Sequence, residues 1–247
     1  MKADPFAQLK LLDIQELDSH QDQLRHRLAT LPQHAELQRL SRERSAVDDS
    51  ARDAKVSVDD LTRAQKKADA EVEQVKARRK RDQDRMDQGL ITNPKDLERM
   101  QGELVSLERR ISTLEDEELE VMEQLETAQA DLTRLSTTLA DLDQQIADAT
   151  QARDDAARGI EEDLTATRRR RDEAVGDMPE DLLALYTKLR EQKGGVGAAA
   201  LRARRCEGCS LQLNASDLGV IAKAPSDEVV RCEECNRILV RTSESGI

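Results

Sequence analysis

The chain has 247 residues, a net charge of −12, 36% charged and 1% aromatic residues, with Phe6 and Tyr186 its only rings. Large cores are filled by aromatic and branched aliphatic side chains, so this composition excludes a big packed globule and implies a narrow helical seam. Residues 168–247 carry 14 Lys/Arg and 13 Asp/Glu, which leaves 25 and 38 in residues 1–167, so the acidity belongs to the N-terminal two thirds.

Met1 to Lys10 holds no apolar core of signal-peptide length, and no apolar run approaches the length that crosses a bilayer. We therefore expect a cytoplasmic protein with no membrane partner. Thiols stay reduced there, so the four cysteines read as metal ligands rather than disulfide partners.

Residues 5–31 read as a first helix, with Ile14, Leu17, Leu24, Leu28 and Leu31 on one stripe. Pro32 then removes a helical hydrogen bond and clashes with the preceding turn. The apolar series restarts out of register at Leu37 and Leu40, which predicts a kink or a short non-helical step near 32. From Leu37 to Met86 an alternating three- and four-residue step meets apolar residues at 11 of 15 positions; Arg44, Gln65, Arg79 and Asp82 are the exceptions. From Leu97 to Ile160 the same step meets apolar residues at 17 of 19 positions, broken only by Glu118 and Arg153. A 3.5-residue repeat held this long marks a helix lying along a partner helix.

The two series are joined by residues 87–94. Gly89 suits the left-handed residue that follows a helix end, while Asn93, Pro94 and Asp96 form an N-cap, a first helical residue and a dipole partner. These features predict an antiparallel coiled-coil hairpin with its tip at 87–94. Placing Met86 across from Leu97 makes partner numbers sum to about 183. That register sets Gln65 opposite Glu118 as a candidate polar layer, and Pro32 near Arg153 as a candidate hinge; two unrelated imperfections are the alternative. Leu90 and Ile91 at the tip read either as a partner-docking point or as a staple between the helices.

Beyond Ile160 the repeat fades into Arg168–Arg171. Pro179 opens a short helix with Leu182, Leu185, Tyr186 and Leu189 on one face, and Gly194-Gly195 ends it. The Ala-rich residues 196–204 fit either a strand or a helix. Cys206-Glu-Gly-Cys209 and Cys232-Glu-Glu-Cys235 are separated by 22 residues. Two such turns aim four thiolates at one metal, so Cys206, Cys209, Cys232 and Cys235 are expected to hold one structural Zn2+. Four thiolates close the coordination sphere, which makes the metal a folding device and argues against an enzyme. Val229-Val230 and Ile238–Val240 read as strands, and residues 214–223 as a short capped helix.

The tip Gly89-Leu-Ile-Thr-Asn-Pro-Lys-Asp-Leu97, the segment Leu107-Glu-Arg-Arg-Ile-Ser-Thr-Leu-Glu-Asp116, Pro179-Glu-Asp-Leu-Leu183, Lys193-Gly-Gly-Val196 and the two cysteine pairs ending in Cys235-Asn-Arg-Ile-Leu239 resemble the bacterial C4-type zinc-ribbon, coiled-coil hairpin family. The resemblance runs in order over nearly the whole chain. It implies a long helical hairpin joined to a zinc ribbon and an adaptor role; relatives associate with an alternative sigma factor, flagellin messenger RNA or type III secretion components. Ser210 departs from the His common in that family, and Asn236 from the usual Gly.

The fold class is thus mostly α: a long antiparallel coiled-coil hairpin over 1–175, then a short helix and small α+β zinc ribbon over 176–247. The expected function is a non-catalytic adaptor that binds protein partners. The alternative is nucleic-acid binding through Arg168, Arg169, Arg170, Arg171, Arg202, Arg204 and Arg205. Against it, consecutive helical arginines point about 100° apart, no rings are available to stack bases, and the acidic hairpin repels a polyanion. Local pairing of Arg168–Arg171 with Asp172 and Glu173 is the bland reading. His20, His26 and His34 read as surface residues. A homodimer is a further candidate, through a seam on 1–31 or an edge strand of the ribbon.

Overall fold

A computed structural model describes all residues, 1–247. The first helix, α1 (Pro5–Ala29), starts where the Asp4 carboxylate accepts from the backbone N–H groups of Phe6 (2.8 Å) and Ala7. It stops at Thr30, whose N–H and hydroxyl both turn back to the His26 carbonyl. Only Thr30 and Leu31 intervene before α2 (Pro32–Asp87), so the expected break is a two-residue step with Pro32 in the first helical position, where its missing N–H costs nothing. Packing divides the residues into two compact units, Met1–His34 with Gln151–Ile247, and Ala35–Thr150.

Within Ala35–Thr150, α2 runs antiparallel to α3 (Pro94–Val175), and the buried apolar residues all belong to the two predicted series: Leu40, Ala51 and Val72 against Leu107, Ile111, Leu114, Leu125 and Leu142. The turn between them is hydrogen-bonded at both ends. Leu90 N–H donates to the Arg85 carbonyl and Gly89 N–H to that of Met86, with Gly89 at φ +67°. This Schellman pattern satisfies the last carbonyls of α2, and the Asn93 side chain caps α3 by accepting from Lys95 N–H at 3.0 Å.

The register differs from the sequence-based one. Cross-helix ion pairs join Arg78 to Glu103, Arg79 to Glu108 (2.5 Å), Lys76 to Glu115 (2.8 Å) and Arg44 to Asp143 (2.5 Å), with partner numbers that sum to 181, 187, 191 and 187. The stagger is therefore about one helical turn larger over most of the seam, because the charged flanks as well as the apolar stripe set alignment. Glu118 consequently meets Asp69 rather than Gln65. A hydrogen bond to that second carboxyl, together with partial burial, holds Glu118 above the usual carboxylate range.

In the other unit, α3 ends at Gly176 and α4 (Glu180–Gln192) follows Pro179. Gly194 (φ +69°) and Gly195 (φ +92°) terminate α4, with Gly195 N–H reaching the Arg190 carbonyl. The Ala-rich stretch becomes a strand, β1 (Ala198–Arg202). Alanine favours helix, but Gly194, Gly195 and Gly197 interrupt any continuation, and sheet pairing then decides. With β2 (Arg205–Cys206), β3 (Val230–Arg231) and β4 (Ile238–Arg241) it forms a sheet in the order β2-β1-β4-β3, in which β1 and β4 are parallel. A short helix, α5 (Ala215–Lys223), is capped by Asn214.

The sheet is covered on both faces, and side-chain alternation sorts its residues. Ala198, Ile238 and Val240 face Leu11, Ile14, Leu182, Tyr186 and Leu189. Ala199, Leu201 and Leu239 face Leu213, Ile221, Cys206 and Cys232. The first helix is thus part of the ribbon's core, and further along α1 Leu24 and Leu31 pack on Ile160 and Leu164 of α3. The 1–31 seam considered for a homodimer is already covered by the chain itself.

The predicted α1 stripe is corrected in one respect: Leu17 is only half-buried, while Asp18 (4% exposed) and Gln21 lie inside in line with Leu11, Ile14 and Leu24. The Asp18 carboxylate accepts from Arg171 Nε (2.6 Å, α3) and from the Tyr186 hydroxyl (2.8 Å, α4), and Arg190 binds the adjacent Asp22. Burial and the Asp18 carboxylate push the Tyr186 phenol far above its ordinary pKa. Gln15 adds a bridge, with its side chain donating to the Gly195 carbonyl (2.8 Å) and accepting from Gly197 N–H (2.7 Å). Gly197 allows this approach, since a Cβ there would lie 2.6 Å from the Tyr186 carbonyl oxygen.

Replacing Asp18 by Ala leaves the part-buried Arg171 guanidinium and the buried Tyr186 hydroxyl without their partner, and we expect a loss of about 2–4 kcal/mol in urea unfolding of the zinc-loaded protein. Tyr186→Phe leaves the ion pairs intact and is expected to cost about 1–2 kcal/mol.

Candidate metal centre

Each cysteine pair occupies the turn of a small β-hairpin. In the first, Cys206 N–H donates to the Leu211 carbonyl and Ser210 N–H to that of Cys206 (2.7 Å); in the second, Cys232 N–H donates to Arg237 and Asn236 N–H to Cys232 (2.8 Å). The two turns are near copies. Both place the residue after the second cysteine in the left-handed region, Ser210 at φ +59° and Asn236 at φ +64°. Asn tolerates this conformation because its short polar side chain bonds locally, so Asn236 is a workable replacement for Gly. Ser210 serves the turn through its backbone, and its carbonyl accepts from Arg205 at 2.9 Å. At Gly208 a Cβ would meet Arg237 Cδ at 2.8 Å and Ala199 Cβ at 2.9 Å, so the first turn requires glycine to close on the sheet.

These turns bring all four predicted ligands together. The Sγ atoms of Cys206 and Cys235, and of Cys209 and Cys232, are 3.9 Å apart, and all four lie within 4.8 Å of one another. A tetrahedron with Zn–S bonds near 2.3 Å has edges of about 3.8 Å, so the donor set closes on Zn2+ with only small inward shifts.

Burial pushes the Cys206 thiol up to about 12, although the N–H groups of Gly208 and Cys209 point at its sulfur. Burial likewise raises Cys232 against the N–H groups of Cys235 and Glu234. Cys235 is the exception: burial raises it, but the backbone N–H and guanidinium of Arg237, together with the Cys232 and Cys209 thiols, outweigh this and bring it down to about 7. Arg237 is fixed in turn by the carbonyls of Val196 and Lys193, both at 2.9 Å. No spacing rule in the sequence pointed to Arg237.

The seven arginines considered for nucleic acid are not assembled into one free surface. Arg171 is bound to Asp18, and not to Asp172 or Glu173. Arg202 pairs with Glu207 (3.3 Å) and Glu244 (2.5 Å), Arg204 holds the Gly246 carbonyl and Arg205 that of Ser210. Arg168, Arg169 and Arg170 are exposed on α3 and make no ion pair. The three histidines are exposed as expected. At the tip the two apolar residues part company: Ile91 is half-buried, while Leu90 is 65% exposed. In the segment 76–85, towards the end of α2, six of ten residues are cationic, a cluster that no motif marks; of these, Lys80, Arg81 and Arg85 are exposed and unpaired.

Fold and site together define a helical-hairpin protein with a C4 zinc ribbon. Residues 14–194 match the CT398-like coiled coil hairpin domain and residues 205–239 the C4-type zinc ribbon domain. The chain belongs to the CT398-like coiled-coil hairpin family, and its four clustered cysteines form the site of one structural zinc. It is 35% identical to the uncharacterized protein Rv2229c of Mycobacterium tuberculosis, over 98% of each chain. A solved structure from Mycobacterium smegmatis is similar at TM-score 0.85 and 32% identity, covering 98% of this chain and 100% of that one. CT398 from Chlamydia trachomatis shares the fold at TM-score 0.69 and 18% identity, covering 96% of this chain and 98% of that one.

Replacing Cys206 or Cys232 by Ser is expected to lower bound zinc from one per chain to near zero by metal analysis. Amide protection should then be lost across 198–241 while the far-ultraviolet helical signal largely persists. Asn236→Gly should leave zinc-loaded stability unchanged, and Asn236→Val should lower it by about 1–2 kcal/mol in thermal unfolding.

Proposed function

We propose that the protein is a non-catalytic cytoplasmic adaptor that engages protein partners, with the ribbon as a folded, zinc-stabilised module and the hairpin as the presenting element. The four-thiolate donor set supports this reading, because it closes the tetrahedron and leaves no position for water or substrate. No helix is long and apolar enough to cross a membrane.

The observation that carries the proposal is Leu90. The Leu90 N–H closes on the Arg85 carbonyl, and its side chain stands outward at the hairpin tip while Ile91 beside it is half-buried. A large apolar side chain at the tip, with the unpaired Lys80, Arg81 and Arg85 on the last turns of α2, supplies an anchor and nearby positive charge. Nucleic-acid binding has less support. Four of its seven candidate arginines are engaged in holding the protein's own turns or its buried carboxylate.

The test is affinity capture from the native cell with the full-length protein and with Leu90→Ser, comparing partners by mass spectrometry. We expect recovery of a specific partner to fall about tenfold with Leu90→Ser and to return with Leu90→Met. An unchanged partner set would overturn the role of the tip. Saturable binding of duplex DNA or single-stranded RNA at low salt, weakened by Arg168→Ala, Arg169→Ala and Arg170→Ala together, would favour the nucleic-acid reading instead.

A further inference from the structure

The outer strand of the ribbon sheet, β3, already carries a short addition to its free edge. Ala3 N–H donates to the Asp227 carbonyl (2.8 Å) and Val229 N–H to the Met1 carbonyl (3.1 Å), around the antiparallel pair Lys2 and Glu228. Lys2 Nζ strengthens the attachment through Asp227 at 3.0 Å. Outward N–H groups recur at every second residue of a strand, so Arg231 N–H follows that of Val229 on the same side. It lies one step past the end of the Met1–Ala3 pairing. The strand is pinned there, since the Arg231 guanidinium donates to the Asn236 carbonyl at 3.1 Å.

Beside this edge lies a groove of about 610 Å3 between β3 and α5, with Val220, Ala224 and Pro225 on one wall and Val229 and Val230 on the other. Val220 is 68% exposed, the most exposed apolar residue of the ribbon. The rim carries Asp217, Glu228 and Glu233 against Lys223 and the already committed Arg231, and neither Glu228 nor Glu233 has an ion-pair partner. An apolar trough between a helix and a strand with one free N–H is a geometry that accepts an extended segment: the apolar walls take alternate side chains and the Arg231 N–H fixes the main chain.

We propose that this groove binds an extended segment of a partner protein, seated on its apolar walls and held to β3 by a main-chain bond from the Arg231 N–H. Apolar side chains at alternate positions would seat against Val220 and Pro225, and a Lys or Arg would face Glu228 and Glu233. A second copy of the chain fits less well. Two β3 strands meeting edge to edge would bring a second Glu228 and Glu233 against the unpaired Glu228 and Glu233 of the first, whereas a basic segment neutralises them. The site is independent of the tip, so its failure and that of the tip are separately visible.

The test pans a phage-displayed random dodecapeptide library against the zinc-loaded full-length protein and measures selected peptides by fluorescence anisotropy. Expected are sequences with alternating apolar residues and a basic residue. Their affinity should fall about tenfold with Val220→Glu, a solvent-facing change outside the core, and stay unchanged with Leu90→Ser. Hydrogen exchange at the Arg231 amide should slow on binding, and N-methylation of the peptide at alternate positions should abolish it. Acidic or helical selected sequences, indifference to Val220→Glu, an unchanged Arg231 amide, or no enrichment at all would overturn the proposal. Dimerisation lost with Val220→Glu would assign the groove to a second copy and overturn it equally.

Discussion

A helix with an apolar stripe every 3.5 residues cannot keep that stripe in water, and in this chain the cover for each long stripe is the other one. The constraint reaches everything else. It requires a reversal, which Gly89 makes possible by taking a positive φ, and it requires alignment, which charged flanks supply through Arg44 with Asp143 and Lys76 with Glu115. A seam of two helices is narrow, so Val56, Val105 and Leu119 remain on its outside while Leu114 and Leu142 are enclosed. That narrowness explains how so long a chain manages with two aromatic residues.

The unit that contains the ribbon is held by different means. A sheet with strands of two to five residues has little intrinsic stability. It is fastened by metal on one side and by helices α1 and α4 on the other. Tyr186 is central to the second attachment, because its ring fills the apolar interface while its hydroxyl reaches the buried Asp18. A carboxylate so enclosed is tolerable only because Arg171 and the phenol satisfy it, and the directional bonds fix how α1, α3 and α4 align where apolar contact alone would let them slide. The zinc site draws on the same frame through Arg237, which faces Cys235 while holding the carbonyls that follow α4.

Much of this was readable in advance. The two heptad series, the proline step, the glycine turn and the four ligands rest on local rules of period, backbone freedom and spacing, and the structure places them where those rules indicate. The Asp18 network left no such trace. An aspartate in an amphipathic helix looks like any surface residue until its partners, 153 and 168 residues away, are in place. For the same reason Arg171 passed for one of four solvated arginines, and Arg202, Arg204 and Arg205 for a free basic patch. Leu90 and Ile91 were equivalent in the sequence and differ only in which way a closed turn points them.

By itself the sequence determined the periodicities, the reversal near Gly89, the break at Pro32 and a four-thiolate metal site, because each depends on residues close along the chain. Tertiary structure alone decided the hairpin register, the parallel pairing of β1 with β4, the fate of the Ala-rich segment and the burial of Asp18. Those outcomes are set by competition among distant surfaces for the same partners, and propensity or spacing carries no record of which one prevails.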